Sequence, residues 1–200
     1  MGKKNRQRKN NIFIAREGDR EEIFLSFLQQ LFDPKETITL KFPPEKGGNS
    51  NAILDRAFRA DYYPSTYAWF DEDGCLDIEH KKMLEKHWKI KLPEEIPDKE
   101  LQIYNKNNKK PIVIVSTPMS IEGIIIRLFG YKLPKLINPV KTNEDFKENK
   151  RRMKMALNGF MGKCSDMEFY QKNLTKELIL KKAKEIEELK LLLSIFNAKI

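Results

Sequence analysis

Four short runs in the first two thirds of the chain are apolar with little interruption. They are Ile12-Phe13-Ile14-Ala15, Thr37 to Phe42, Thr66-Tyr67-Ala68-Trp69-Phe70 and Ile112-Val113-Ile114-Val115. Continuous apolarity over so few residues marks strands covered on both faces, as in parallel sheets. Between them the period lengthens to that of a helix: Ile23, Phe24, Phe27, Leu28 and Leu31; Ile53, Leu54, Ala57 and Phe58; Ile121, Ile124, Ile125, Leu128 and Phe129. Asp19 is placed to cap the first helix, with Glu22 completing a capping box, and Asp33-Pro34 ends it. A further helix is expected around 78–89, and the Pro/Glu/Lys-rich stretch 91–111 reads as a surface insertion. Strand and helix alternate throughout, which predicts an open α/β sheet, four-stranded and mainly parallel, with helices on both faces.

Beyond residue 131 the pattern is helical only, with Lys150 to Leu157 and Leu174 to Phe196 the clearest segments. In the second, Ile179, Ile186 and Leu193 recur every seven residues beside Leu189 and Phe196, but Lys182 interrupts the row. That stripe suits a helix packed on its own chain, or a homodimer contact through the C-terminal helix. Three regions are expected: a basic disordered tail over 1–10, an α/β domain over 11–131 with the insertion near 91–111, and a basic helical extension over 132–200.

The 200 residues carry 38 Lys+Arg and 29 Asp+Glu, a formal charge of +9, and the distribution matters more than the total. Residues 1–10 hold +5, residues 11–131 hold 17 basic and 20 acidic side chains, and residues 132–200 hold 16 basic and 9 acidic. Basic flanks around an acidic centre suggest a polyanion partner, nucleic acid above all. Lys3, Lys4, Arg6, Arg8, Lys9, Lys150, Arg151 and Arg152 are the candidate contacts. Two cysteines, Cys75 and Cys164, exclude a disulfide framework and a four-thiolate zinc site, and two histidines leave little scope for His-rich metal chemistry. No apolar stretch is long enough to span a membrane, and the basic N-terminus lacks an apolar signal core, so a cytoplasmic protein without a membrane partner is expected.

Ligands of open α/β sheets bind beyond the carboxyl ends of the strands, where the strand order reverses. Glu17 follows the first strand there, and Asp71 and Asp73 follow the third. Strands one and three are neighbours in a flavodoxin-like order, roughly 4.8 Å apart. Residues two apart on an extended segment share a face, so Asp71 and Asp73 address one place and Glu17 meets them across the gap. Three converging carboxylates cannot all stay ionised without a cation. Oxygen-only ligands select a hard ion, Mg²⁺ or Mn²⁺. Gly18 and Gly74 leave room for a close approach.

A Glu-Gly turn after strand one and an Asp-x-Asp after strand three resemble the TOPRIM domain of topoisomerases, primases and OLD-type nucleases. Glu17-Gly18-Asp19-Arg20-Glu21-Glu22 is similar to the Glu-Gly-x-x-x-Glu motif of the RloB-like branch. Gly47-Gly48 before helix two, and Ser116-Thr117-Pro118 ahead of Glu122, are similar to further motifs of that branch. The resemblance covers roughly residues 11–131. It implies a Rossmann-like TOPRIM fold, Mg²⁺-dependent endonucleolytic hydrolysis of DNA or RNA, bacterial antiphage defence, and an AAA/ABC-type ATPase partner.

On that resemblance Glu17, Asp71 and Asp73 hold the metal and Glu22 joins them as a catalytic residue, with Glu21 and Glu122 secondary candidates. Glu22 or Glu21 would complete a second metal position about 3.5–4 Å from the first. A water nucleophile is expected, because a topoisomerase needs a catalytic tyrosine in another domain, and Tyr62, Tyr63 and Tyr67 read as sheet and loop aromatics. Lys46, Lys81 and Lys82 are candidates to hold phosphate. His80 and His87 read as a solvated helix face, Cys75 as unactivated, and Trp69 as core. Two other functions fit the same residues: a non-catalytic nucleic-acid-binding or regulatory TOPRIM protein, and a small RNA-maturing TOPRIM enzyme.

Overall fold

The computed structural model describes residues 10–45, 47–48, 50–60, 62–71, 82, 101–104, 111–117, 120–131 and 143–200. Five strands form one sheet: β1 (Asn10–Ala15), β2 (Ile38–Lys41), β3 (Ser65–Asp71), β4 (Leu101–Tyr104) and β5 (Pro111–Thr117), in the order β2-β1-β3-β5-β4. β2, β1, β3 and β5 run parallel, and β4 closes one edge antiparallel to β5. The α/β sheet is therefore as expected except in strand number. The fifth strand comes from inside the stretch 91–111 that composition marks as an insertion. Leu101-Gln102-Ile103-Tyr104 alternates apolar and polar over only four residues amid Pro, Glu and Lys, too short a signal to stand out. Its Leu101 pairs with Ile114 and its Tyr104 with Pro111, and a connection of only six residues joins antiparallel neighbours, where a parallel pair needs a crossover.

The described helices are α1 (Asp19–Phe32), α2 (Ser50–Arg59), α3 (Ile121–Leu128), α4 (Asn143–Met161), α5 (Asp166–Asn173), α6 (Lys176–Ala183) and α7 (Glu187–Ser194). The expected helix around 78–89 lies outside the described residues. From β1 the chain steps outward to β2 and then back past β1 to β3, so right-handed crossovers put α1 and α2 on opposite faces. Burial follows this alternation. Ile12 and Ile14 join Phe24, Leu25, Phe27, Leu28, Trp69 and the α3 isoleucines in one core, and α2 covers the face of Phe13, with Ile53, Leu54, Ala57 and Phe58 buried beneath it. Trp69, 1% exposed, is core as expected.

The C-terminal helices complete the first of those faces. Met153, Leu157, Phe169, Tyr170, Ile179, Ile186, Leu189, Leu193 and Phe196 belong to the same core as Ile12 and Ile14, with α5 packed on α1 and α7 on β5. Leu174 to Phe196 is not one helix. Thr175 caps α6, its hydroxyl accepting from the Leu178 amide at 3.2 Å, and the chain breaks at Lys184 before Ile186, in extended geometry, opens α7. The seven-residue row Ile179, Ile186 and Leu193 is buried within the chain. Among the described residues no helix is long and apolar enough to cross a membrane.

α1 begins one residue earlier than its capping pattern suggests. Gly18 is the cap, and Glu21 in place of Glu22 reaches back to accept the Gly18 amide at 3.1 Å. At the other end the Asp33 carboxylate accepts the amides of Thr37 at 2.9 Å and Ile38 at 2.8 Å, which fixes where β2 starts.

Candidate functional site

The register Ala15↔Ala68 aligns β1 with β3, so Glu17, two residues past the end of β1, and Asp71, the last residue of β3, lie at the same carboxyl edge. Asp71 in turn lies opposite Thr117 of β5. Strand order reverses around β1 and β3, which is where open α/β sheets bind ligands. Asp73 lies outside the described residues, as do Lys46, Cys75, His80, Lys81, His87 and the tail residues Lys3, Lys4, Arg6, Arg8 and Lys9.

The turn after β1 is fixed from two sides. The Gly47 amide donates to the Glu17 carbonyl at 2.7 Å, drawing the loop after β2 back over the end of β1. That loop requires both glycines, since Gly47 has φ +73° and Gly48 has φ +97°. A Cβ on Gly48 would stand 2.8 Å from the Ala52 Cβ, so helix α2 also depends on its bareness. The guanidinium of Arg56 on α2 donates to the carbonyls of Gly47 and Arg16, clamping both sides of the turn.

Around Glu17 the structure gathers carboxylates and their counter-charges from four helices. Lys150 on α4 donates to the Glu17 carboxylate at 3.1 Å. Arg20 on α1 donates to Glu122 in the first turn of α3 at 2.6 Å and to Asp166 at the start of α5 at 3.1 Å. Glu122 is 3% exposed and Arg20 20%, so this bridge is made in largely desolvated surroundings. Burial opposes the Arg20 charge, yet its bond to Asp166 and the field of Glu122 hold its pKa above the usual value. Glu21 is buried too. Burial first, then the charges of Glu17 and Glu122, push its carboxyl up to about 6, against the lowering effect of its backbone hydrogen bonds.

Three polar atoms beside this cluster are buried with no hydrogen-bond partner: Ser120 Oγ at the cap of α3, Asp166 Oδ1 and the Tyr170 hydroxyl. Burial raises the Tyr170 pKa, and the charge of Asp166 adds to it. Glu22, expected at the site, faces another way. It pairs with Arg16, itself 2% exposed, whose guanidinium also lies 4.9 Å from the Phe42 ring centre. Arg151 and Arg152 both bind the Glu148 carboxylate on the exposed side of α4, while Lys82 is exposed.

Of the expected residues, the structure thus brings together Glu17, Glu21, Glu122 and Lys150, and brings the Asp71 backbone to the same edge. Among the described residues no group of three His, Cys, Asp or Glu side chains could hold a metal ion. The donor chemistry of Glu17 still suits a hard cation, and the backbone of Asp71 lies on the adjoining strand end. Sequence reading missed Arg20, Asp166 and Tyr170. Arg20 stands inside the Glu-Gly motif, and its charge amid four acids was a signal available at once. Asp166 comes to it across 146 positions, which no local pattern reveals. Comparison with protein-family models, with curated proteins and with solved structures returned no match to this chain.

Proposed function

We propose that this chain is a TOPRIM nuclease of the RloB-like kind, hydrolysing phosphodiesters in DNA or RNA with Mg²⁺ or Mn²⁺, in antiphage defence and beside an ATPase partner. What supports the reading is the pairing of β1 with β3, which ends Glu17 and Asp71 at one carboxyl edge. Glu17, Asp71 and Asp73 would hold the ion, which when bound supplies charge neutralisation at the phosphate and an acidified water. Lys150, 3.1 Å from Glu17, sets a cation where a phosphate would arrive. Gly18 leaves that approach open, and the Gly47-Gly48 loop keeps the Glu17 backbone fixed. Glu21, with its carboxyl near 6, exchanges a proton with little cost at neutral pH, at a place shielded from bulk water.

One observation favours a second reading, a non-catalytic nucleic-acid-binding or regulatory protein. Glu17 and Glu122 already have basic partners in Lys150 and Arg20. A cleavage panel with Mg²⁺ and Mn²⁺ over plasmid, single-stranded DNA, tRNA and structured RNA, wild type beside Asp71→Ala, separates the two. The nuclease reading expects metal-dependent cleavage that Asp71→Ala abolishes with the melting temperature retained. Cleavage undiminished in Asp71→Ala, or salt-sensitive binding with no turnover by the wild type, refutes it.

A further inference from the structure

Beside α2, on the sheet face away from the main core, lies an open cavity of about 410 Å³. Its walls include Phe13 of β1, Phe42 just after β2, Tyr62 and Tyr63 between α2 and β3, and Arg56 and Arg59 of α2. The aromatic rings form a ladder. Phe13 stacks on Tyr63 at 5.1 Å between centroids and 30° between planes, and Tyr63 lies 4.5 Å from Tyr62. The ladder runs outward, from Phe13 at 8% exposure to Tyr62 at 72%. Core packing holds its inner end, while the outer ring keeps most of its surface in water and contributes little burial.

We propose that this groove is a subsite for one unpaired nucleotide of a single-stranded nucleic acid, its base extending the ladder at Tyr62 and its phosphate on Arg59. Every base has a π-face, so stacking on an aromatic shelf is tolerant of sequence and strong for single strands. A volume of about 410 Å³ is in the range of small-ligand sites. Arg59 is 68% exposed and binds Asp55 through Nε at 2.7 Å, which leaves its two terminal amino groups as phosphate donors. An exposed pair of that spacing is weak, so the guanidinium shifts to a phosphate at little cost. Glu45 and Asp55 also line the groove and match the charge of its two arginines, so binding there rests on stacking more than on net charge.

The groove is connected to the carboxyl edge. Arg56 lines it and at the same time donates to the carbonyls of Arg16 and Gly47, the two sides of the Glu17 turn. Phe42 lines it and carries the Arg16 guanidinium over its ring. A strand leaving the Glu17 edge along α2 would reach the groove, where an unpaired base has a π-face free to stack on Tyr62. This inference deepens the nuclease reading by naming a single-stranded substrate class, and rests on that reading for its place in catalysis.

The test is metal-free binding, measured by fluorescence anisotropy in EDTA at physiological salt with a labelled oligothymidylate and a blunt duplex. Tyr62→Ala should weaken oligothymidylate binding about five- to a hundredfold and leave the duplex unchanged, with Tyr62→Phe like the wild type. Arg59→Gln should lower single-strand affinity and reduce the salt slope by about one. Circular dichroism melting confirms that the variants fold. Absent single-strand binding by the wild type, equal losses on both ligands, or a Tyr62→Phe that behaves like Tyr62→Ala would overturn the subsite. Because no metal or turnover enters, a failed cleavage panel leaves this result standing, and the reverse also holds.

Discussion

Replacing Arg20 by methionine tests the charge cluster directly. Methionine keeps most of the length and apolar stem but removes the guanidinium that meets Glu122 at 2.6 Å and Asp166 at 3.1 Å. Glu122 is 3% exposed and Asp166 15%, so neither carboxylate regains full hydration when its partner goes. Removing one member of a buried pair typically costs about 3–5 kcal/mol. Arg20 is itself 20% exposed, and water reaching the vacated place reduces that, so the expected loss is about 2–4 kcal/mol. For a chain of this size that lowers the melting temperature by roughly 4–16 °C. Urea unfolding should show a lower midpoint with an unchanged slope. The double variant Arg20→Met/Glu122→Gln should recover at least half the loss, since the orphaned buried charge is then gone. An Arg20→Met protein within about 1 kcal/mol of wild type, or a double variant no better than the single, would refute the claim that Arg20 compensates these acids.

Glu21 gives a pH-dependent counterpart. Its folded carboxyl sits near 6 against an ordinary 4.5, so the folded state binds the proton more tightly and loses stability as pH rises through that interval. Glu21→Gln should therefore stabilise by up to about 2 kcal/mol above pH 7 and converge on wild type near pH 4, read from urea midpoints across pH. Gly48→Ala should cost about 1–3 kcal/mol, more than Gly47→Ala, because both have positive φ but only at Gly48 does the new Cβ meet a neighbour, at 2.8 Å. Thermal melts rank the two, and the opposite order would contradict the contact with Ala52. Arg151→Ala should leave the melting temperature unchanged, since its bond to Glu148 lies at the surface, where an ion pair is worth little.

The parallel strands were legible because their apolar runs are continuous, and β1, β3 and β5 lie where Ile12, Thr66 and Ile112 announce them. β4 was not, because a four-residue edge strand carries too little pattern, and its pairing is written in the short connection to β5. The break between α6 and α7 was hidden as well. Ile186 continues the seven-residue row through a residue in extended geometry, so periodicity survives where the helix does not. At the site, Glu17 and Asp71 follow from topology alone. The partners of Glu17 and Arg20 do not, since Lys150 and Asp166 arrive from helices 133 and 146 positions away.

Those two separations have a consequence for the order of synthesis. A chain made from its N-terminus at about 5–20 residues per second completes Glu17, Arg20 and Glu21 roughly 7–30 s before Asp166 exists to meet Arg20. Through that interval β1 and α1 also lack the cover of α5 and α7, so part of their apolar face is without its native partners. The carboxyl edge acquires its charge balance late, although it is among the first parts to be translated. A chain cut short before α4 would hold the Glu-Gly motif intact and yet lack both Lys150 and Asp166, leaving Glu17 without its ammonium and Arg20 with one acid in place of two.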